Sequence, residues 1–158
     1  MCEVNETMVM LAPSRKTTSN KFMKITTNTK GQLAVSKAEL RAFELGFLPS
    51  RPLYDARYDL IIDNGKRLLR VQVKYADGRS TNSGGSVIVK LEYEDRQKNV
   101  YTHNNSEVDV LVVYIPCINK LCYFPKEVFI GKRKISIRIN NAKNNQKRRV
   151  ITAEDYYW

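Results

Sequence analysis

Three side chains with complementary chemistry lie in one short part of the chain. Asp59 is followed, after twelve residues, by Gln72-Val73-Lys74. Alternate side chains of a strand point to the same face, so Gln72 and Lys74 project together and the apolar residues around them face the core. If Asp59 begins the neighbouring strand, a carboxylate, an amide oxygen and an ammonium group converge on one spot. The apolar set on the opposite face is Leu69, Val71, Val73 and Tyr75.

This combination of groups suits the hydrolysis of a phosphodiester bond. A hard cation, Mg²⁺ or in its place Mn²⁺, takes oxygen ligands, which Asp59, Gln72 and the Val73 main-chain carbonyl can supply. Such a cation lowers the pKa of a bound water. Lys74 can orient or deprotonate that water and stabilise the charge that develops on phosphate. The residues alone leave a second interpretation open, an edge hairpin with polar side chains facing solvent, because short motifs recur by chance.

Hydrophobic periodicity predicts the elements that must position these groups. An amphipathic helix of about four turns is expected from Gly31 to a stop at Gly46, with its apolar residues at helical spacing. Strands are expected at 60–62 and 67–75, and Asn64-Gly65 predicts a two-residue hairpin turn between them. The apolar residues that define the helix are Leu33, Leu40, Phe43 and Phe47.

The rest of the chain predicts more strands and one polar loop. Strands are expected at 86–92, 109–115 and 121–124, the second of them buried on both faces, and residues 77–85 form the loop. This order predicts a small α/β or α+β sheet fold. We interpret residues 1–22 as a flexible arm, because they lack usable periodicity, and residues 23–158 as one domain with a basic C-terminal segment, 128–153.

The charge predicts a polyanionic partner. The chain carries 27 Lys and Arg against 16 Asp and Glu, a net charge of +11, which favours nucleic acid. Lys and Arg bind phosphates, and Asn and Gln can bind adenine edges, although a solvated positive face and a plain connecting loop are the alternatives. Candidate DNA contacts are Arg79, Ser80 and Asn82 in the polar loop, and Lys132, Arg133, Lys134, Lys143, Asn144, Asn145, Gln146, Lys147, Arg148 and Arg149 in the basic segment.

Several other residues invite a functional interpretation that we set aside. His103 is assigned to a surface loop, where it could touch phosphate. Glu107 and Asp109 could support the site or a subunit contact, but we interpret them as solvent-facing residues at the start of a strand. Residues 152–155 have capping-box form and predict a terminal turn. The aromatic side chains that follow are expected to pack against the core or, with slight preference, against another subunit. They are Tyr156, Tyr157 and Trp158.

Cysteine usage and hydropathy predict the compartment. An odd count of 3 cysteines fits a reducing environment, and the longest apolar run, 110–118, is about half of the ~20 residues that a membrane span requires. We therefore expect a cytoplasmic, nucleoid-associated protein with no membrane partner.

Asp59 and Gln72-Val73-Lys74 resemble the signature of the PD-(D/E)XK nucleases, in the variant where Gln replaces the second acid. The stretch from Lys30 to Ala34 resembles the opening helix of archaeal Holliday-junction resolvases of that superfamily. Four further stretches resemble the bacterial homing endonucleases encoded in group I introns, and the resemblance covers roughly residues 29–157. Those stretches are Arg57-Tyr58-Asp59-Leu60, residues 65–74, Glu107-Val108-Asp109 and Asn144-Asn145-Gln146.

The resemblance implies a mixed β-sheet flanked by helices and a Mg²⁺-dependent homo-oligomer, a dimer or tetramer. It further implies cleavage of both strands of duplex DNA at an intronless site, which promotes intron transfer. The alternatives are a structure-specific nuclease such as a Holliday-junction resolvase, and a non-cleaving protein that binds DNA or RNA. One departure from the family pattern matters, because relatives carry a metal-binding Glu where this chain has Val35. Glu39, one helical turn later, is the candidate replacement.

Overall fold

The computed structural model describes residues 25–80, 83–94, 97–104, 106–140 and 150–158. The predicted arm, 1–22, lies outside this range. Among the described residues, no helix combines the length and the apolar character needed to cross a membrane.

A five-stranded mixed sheet forms the centre of the fold, in the order β1-β2-β3-β8-β9. The β2–β3 and β8–β9 pairs are antiparallel, whereas β3 and β8 are parallel. The predicted strands at 60–62, 67–75, 109–115 and 121–124 are thus confirmed, each end to within one residue. The five strands are β1 (Leu48–Ser50), β2 (Leu60–Asp63), β3 (Leu68–Tyr75), β8 (Val110–Ile115) and β9 (Lys120–Pro125).

A second, four-stranded sheet has the order β11-β10-β5-β4. It includes most of the segment predicted as a polar loop at 77–85, so that prediction was wrong: Gly and Ser in this stretch form strands because β5 pairs with β4 and β10. A small hairpin joins β6 to β7. These strands are β4 (Arg79–Ser80), β5 (Ser83–Lys90), β6 (Glu92–Glu94), β7 (Val100–Thr102), β10 (Lys134–Arg138) and β11 (Ile151–Thr152).

Three layers result, and strand β8 lies in the middle one. Its side chains alternate between two buried clusters: Leu111 and Val113 pack with the second sheet, whereas Val110 and Val112 pack with helix α1 (Thr27–Glu44). All six residues of β8 are buried, as predicted. The fold is therefore an α+β fold built on a mixed sheet. A one-turn helix, α2 (Lys126–Phe129), and a 3₁₀ helix (Ala153–Tyr156) complete it.

Helix α1 begins at the N-cap Thr26, whose hydroxyl accepts a hydrogen bond from the main-chain N–H of Thr29 at 3.2 Å. The predicted stop at Gly46 is confirmed, since this residue has a φ of +76° that favours glycine. The predicted buried face was wrong. Leu33, Leu40 and Phe43 are 40, 61 and 58 % exposed, because the helix lies close to a Val-rich sheet and only small side chains fit between them. The face against the sheet is formed by Ala34, Val35, Ala38 and Ala42.

The hairpin between β2 and β3 has a four-residue loop and not the predicted two-residue turn. Asp63 pairs with Leu68, which leaves residues 64–67 in the loop. The Asn64 side-chain oxygen accepts hydrogen bonds from the main-chain N–H groups of Lys66 and Arg67 at 3.1 and 3.0 Å. These two bonds stabilise the longer loop in the way that Asx turns do.

The aromatic C-terminus packs mainly on its own chain. The Tyr156 ring lies 4.6 Å from that of Phe124, and the Trp158 ring 5.8 Å from that of Tyr123, whereas Tyr157 is 43 % exposed. The predicted terminal turn is present as the 3₁₀ helix, but Thr152 makes no side-chain capping hydrogen bond. Burial against the core therefore accounts for two of the three aromatic side chains.

Candidate active site

Asp59 is held against strand β3 by three hydrogen bonds. Its main-chain N–H donates to the Val71 carbonyl at 2.9 Å, which extends the β2–β3 ladder by one residue. Its carboxylate accepts a bond of 2.7 Å from the main-chain N–H of Val73 and a short bond from the Gln72 side-chain amide. The structure thus brings Asp59, Gln72 and Val73 together, because the antiparallel register sets the end of one strand beside the middle of the other.

Lys74 completes the cluster from the same face of β3 as Gln72. Its register partner on β8 is Val113, a member of the core between the two sheets, so the lysine stem is half-buried at the edge of that core. Burial lowers the pKa of Lys74, and the negative charge of Asp59 partly opposes that change. The amine of Lys74 is therefore easier to deprotonate than that of an ordinary lysine.

Burial has the corresponding effect on the acid. It raises the pKa of Asp59, while the hydrogen bond from Val73, the charge of Lys74 and the hydrogen bond from Gln72 each lower it. The two pKa values are thus drawn towards each other by desolvation. Paired groups of this kind, with pKa values moved towards the working pH, are typical of catalytic centres.

The oxygen atoms around Asp59 fit a hard cation. The Gln72 amide nitrogen lies between the Asp59 carboxylate and the Val73 carbonyl, at 3.4 Å from the latter, so an electropositive group already bridges two oxygens. Rotation of this amide by half a turn would bring a third oxygen to the same place. Within the described ranges, no group of three or more His, Cys, Asp and Glu residues is suited to hold a metal. A cation at Asp59 would thus meet a single carboxylate from this cluster.

The structure places Glu39 elsewhere, in contact with Arg51. Both carboxylate oxygens bind that guanidinium group, at 2.6 and 2.7 Å, and no contact joins Glu39 to Asp59. Val35 is 7 % exposed and packs between α1 and the sheet, where an apolar side chain fits without a partner. The role of Glu39 as a ligand stays a prediction.

The predicted DNA contacts are only partly within the described residues. Lys132 donates to the Val128 carbonyl at 2.6 Å, and Arg133 pairs with Glu92 at 3.1 Å, while Lys134 is exposed on β10. Arg79 and Ser80 form strand β4. Asn82 and the set from 143 to 149 lie outside the described residues: Lys143, Asn144, Asn145, Gln146, Lys147, Arg148 and Arg149.

His103 is buried, and its assignment to a surface loop was wrong. It is 6 % exposed, because the β6–β7 hairpin folds it inward, where its ring lies 5.1 Å from that of Tyr93. Neither ring nitrogen has a hydrogen-bond partner in the part of the chain that the structure describes. Burial and the nearby charge of Lys74 lower the pKa of His103. Nothing in the local sequence marks this residue as a neighbour of the catalytic cluster, because the hairpin alone decides its position.

Glu107 and Asp109 were predicted to face solvent, but both accept hydrogen bonds from other residues. Asp109 forms a two-pronged ion pair with Arg70, at 2.9 and 3.0 Å, and also accepts the main-chain N–H of that residue. Glu107 accepts hydrogen bonds from the main-chain N–H of Asn104 and from the Tyr93 hydroxyl. The Asp109 contacts tie the start of β8 to β3, and the Glu107 contacts hold the segment before β8 against the β6–β7 hairpin.

Comparisons with known proteins agree with this geometry. A family model described as PD-(D/E)XK endonuclease matches residues 25–158. The fold is similar to that of I-Ssp6803I, a bacterial homing endonuclease, with a TM-score of 0.69 and 28% sequence identity over 84% of this chain and 88% of that one. The Holliday junction resolvase Hjc of Archaeoglobus fulgidus aligns with a TM-score of 0.44 and 13% identity over 69% and 84% of the two chains, too low to support an inference. No curated protein matches the chain in sequence.

Proposed function

We propose that this chain, which belongs to the PD-(D/E)XK endonuclease family, cuts both strands of duplex DNA at a specific site with Mg²⁺ as its cofactor. The observation that carries the proposal is the convergence of Gln72, Val73 and Lys74 on the Asp59 carboxylate. The similarity to a bacterial homing endonuclease supports the site-specific form of the activity and, with it, a role in intron transfer.

Asp59, the Gln72 amide and the Val73 carbonyl would hold the cation, and Glu39 would join them if it left Arg51. When bound, Mg²⁺ lowers the pKa of a coordinated water and neutralises charge on the scissile phosphate. Lys74 then acts on the attacking water or on the phosphate. Its burial favours the neutral amine, the form that can accept a proton. Tight support from β3 keeps these groups in place, because Asp59 is bonded to the backbone of the strand that carries the other three.

The charge of the chain supports DNA as the substrate. A net charge of +11 provides sequence-independent attraction to phosphates, and the exposed Lys134, with the predicted segment 143–149, would supply contacts. A homo-oligomer, either dimer or tetramer, would match its own symmetry to that of a long target and cut both strands.

A second candidate is a family member that binds nucleic acid without cutting it. The observation that favours it is the low negative charge of the site. Of the acids in the described residues, Asp59 alone contacts Gln72 and Val73, and Val35 is buried in the core. Ca²⁺ and Mg²⁺ affinity rises with the number of charged ligands, so this site would bind metal weakly.

The deciding experiment incubates the protein with intact and intron-interrupted gene fragments, with and without Mg²⁺, and with a cruciform DNA as competitor. Metal-dependent double-strand breaks at one uninterrupted site would support the homing activity. Preferential cutting of the cruciform would instead assign a structure-specific nuclease. Tight binding without cutting under Mg²⁺ or Mn²⁺ would favour the binding protein.

A further inference from the structure

Residues 51–58, which we term the arch, run directly into Asp59. Strand β1 ends at Ser50, opposite Ile61 on β2, so the chain leaves the sheet and returns to it at the end where the catalytic cluster lies. The arch has no internal strand or helix. Its middle must therefore be positioned by its two ends.

An arginine anchors each end of the arch. At the start, Arg51 binds both oxygens of Glu39 at 2.6 and 2.7 Å and the Gln32 side chain at 2.8 Å, all on helix α1. Near the end, the Arg57 guanidinium lies 4.5 Å from the centre of the Tyr93 ring, a cation–π contact. These two contacts anchor the arch on both sides of its tip, Leu53-Tyr54.

The tip presents two large apolar side chains to solvent. Leu53 is 86 % exposed and Tyr54 is 83 % exposed, the highest values among the large apolar side chains of the described residues. A single exposed apolar residue needs no explanation, but two adjacent ones on an anchored loop are a candidate contact surface. The surface is too small for a stable subunit contact, which needs about 800 Å² from each partner.

We propose that the tip enters the DNA beside the scissile phosphate, with Leu53 wedged between adjacent base pairs and Tyr54 stacked on the base that this exposes. This inference rests on the proposed function and adds to it a way of deforming the target. Proteins that bend DNA insert Leu and similar side chains between base steps, and aromatic rings bind unstacked bases. Tyr54 precedes Asp59 by only five residues in the chain, so a second subunit seated on the tip would compete with DNA for access to the site.

The charge next to the tip fits DNA. Among the described residues no carboxylate forms an ion pair with Arg57, whose guanidinium therefore stays available to a phosphate on the face that Tyr93 leaves open. Asp55 is the one acid within the arch. A wedge beside a guanidinium group combines unstacking of the bases with phosphate binding, and the phosphate contacts offset the free-energy cost of the unstacking.

The test compares the wild type with the double variant Leu53→Ser, Tyr54→Ser on the duplex that the wild type cuts. Permanganate, which oxidises unstacked thymines, is applied to the complexes with the metal chelated, so that the DNA stays intact. Leu68→Ser is the matched control, because Leu68 is 65 % exposed and lies at the opposite end of β3 from Lys74. We expect reactive thymines at the cut site with the wild type and the control, and none with the double variant. The rate at which the double variant cuts DNA should be about tenfold lower than that of the wild type, in line with the loss of one stacked base.

Two results would overturn the inference while leaving the nuclease in place. The first is cutting by the wild type without any reactive thymine. The second is unchanged thymine reactivity with the double variant. If analytical ultracentrifugation then shows that the double variant has a different number of subunits, the tip is a subunit contact. A wild type that neither binds nor cuts duplex DNA would instead remove the proposed function itself, and the wedge with it.

Discussion

The Asp59 carboxylate accepts a hydrogen bond of 2.7 Å from the main-chain N–H of Val73, so the acid is fixed to the strand that carries Gln72 and Lys74. This bond uses a backbone group, which no side-chain substitution on β3 removes except proline at Val73. The spacing of the cluster is therefore a property of the β2–β3 register. Variants of single side chains should change the chemistry and leave this spacing intact.

Lys74→Ala is expected to reduce DNA cleavage by at least about 10²-fold, the lower end of what a positioned acid–base group contributes, while binding changes little. Lys66→Ala, in the exposed turn of the hairpin, is the control for the loss of one positive charge. Gel-shift and single-turnover cleavage assays measure the two quantities. Cleavage by Lys74→Ala at the wild-type rate would remove Lys74 from the catalytic centre.

Gln72→Glu is expected to lower the Mg²⁺ concentration needed for half-maximal cleavage, because a second carboxylate strengthens binding of a hard cation. Without metal the same variant should melt at a lower temperature, since two carboxylates would then share one half-buried site. Thermal melts with and without Mg²⁺ detect both effects, and Gln72→Leu, which keeps no ligand atom, is the control. An unchanged metal requirement in Gln72→Glu would place the cation away from this side chain.

The Glu39–Arg51 contact allows the role of Glu39 to be separated from that of the arch. If Glu39 moves to the metal during catalysis, Glu39→Gln raises the Mg²⁺ requirement, whereas Arg51→Met, which frees the carboxylate, does not. Both variants loosen the same anchor, so their effects on melting temperature should be similar. Equal increases in the Mg²⁺ requirement would assign Glu39 to anchoring alone.

His103 makes stability depend on pH. Burial lowers the pKa of His103 from its ordinary value of 6.5, so the unfolded chain binds a proton at a higher pH than the folded chain does. The contribution of the neutral, buried His103 to stability is therefore fully present above pH 6.5, and it is lost as the pH falls through the lowered pKa of the folded state. His103→Phe retains a ring against Tyr93 and should remove this part of the acid sensitivity. Melting temperatures from pH 7.5 to 5 test it, and identical pH profiles for both proteins would contradict it.

Asp109→Asn is expected to destabilise the fold by about 1–2 kcal/mol, because it removes a charge-assisted pair that is partly shielded from water. Both oxygens of Asp109 bind the Arg70 guanidinium, and the pKa of Asp109 is lowered chiefly by this contact. Glu44→Gln, which removes the charge from the exposed Arg41–Glu44 pair at 2.9 Å, should cost about 0.5 kcal/mol or less. Urea unfolding compares the two. If Asp109→Asn lowers the free energy of unfolding by less than Glu44→Gln does, the Arg70–Asp109 pair has no structural role.

The sequence by itself determined the order of the central elements and the composition of the candidate site. Period-two alternation in β3 placed Gln72 and Lys74 on one face, because it is a local property of the segment. The hairpin signal at Asn64-Gly65 correctly made the two strands neighbours, although the loop has four residues and not the predicted two. The same reasoning failed for helix α1. Its large apolar residues suggested a buried stripe, but the distance between helix and sheet decided in favour of the alanine face.

Only the tertiary structure decided the positions that depend on distant segments. His103 lies next to the site because the β6–β7 hairpin folds over it, and Glu39 lies against Arg51 because β1 pairs with β2. The Arg70–Asp109 pair joins residues 39 apart in the chain, through the parallel alignment of β3 and β8. Such contacts follow from strand pairing across long loops. Local periodicity determines the face of a strand or helix on which each side chain lies, but it carries no information on which distant strands pair.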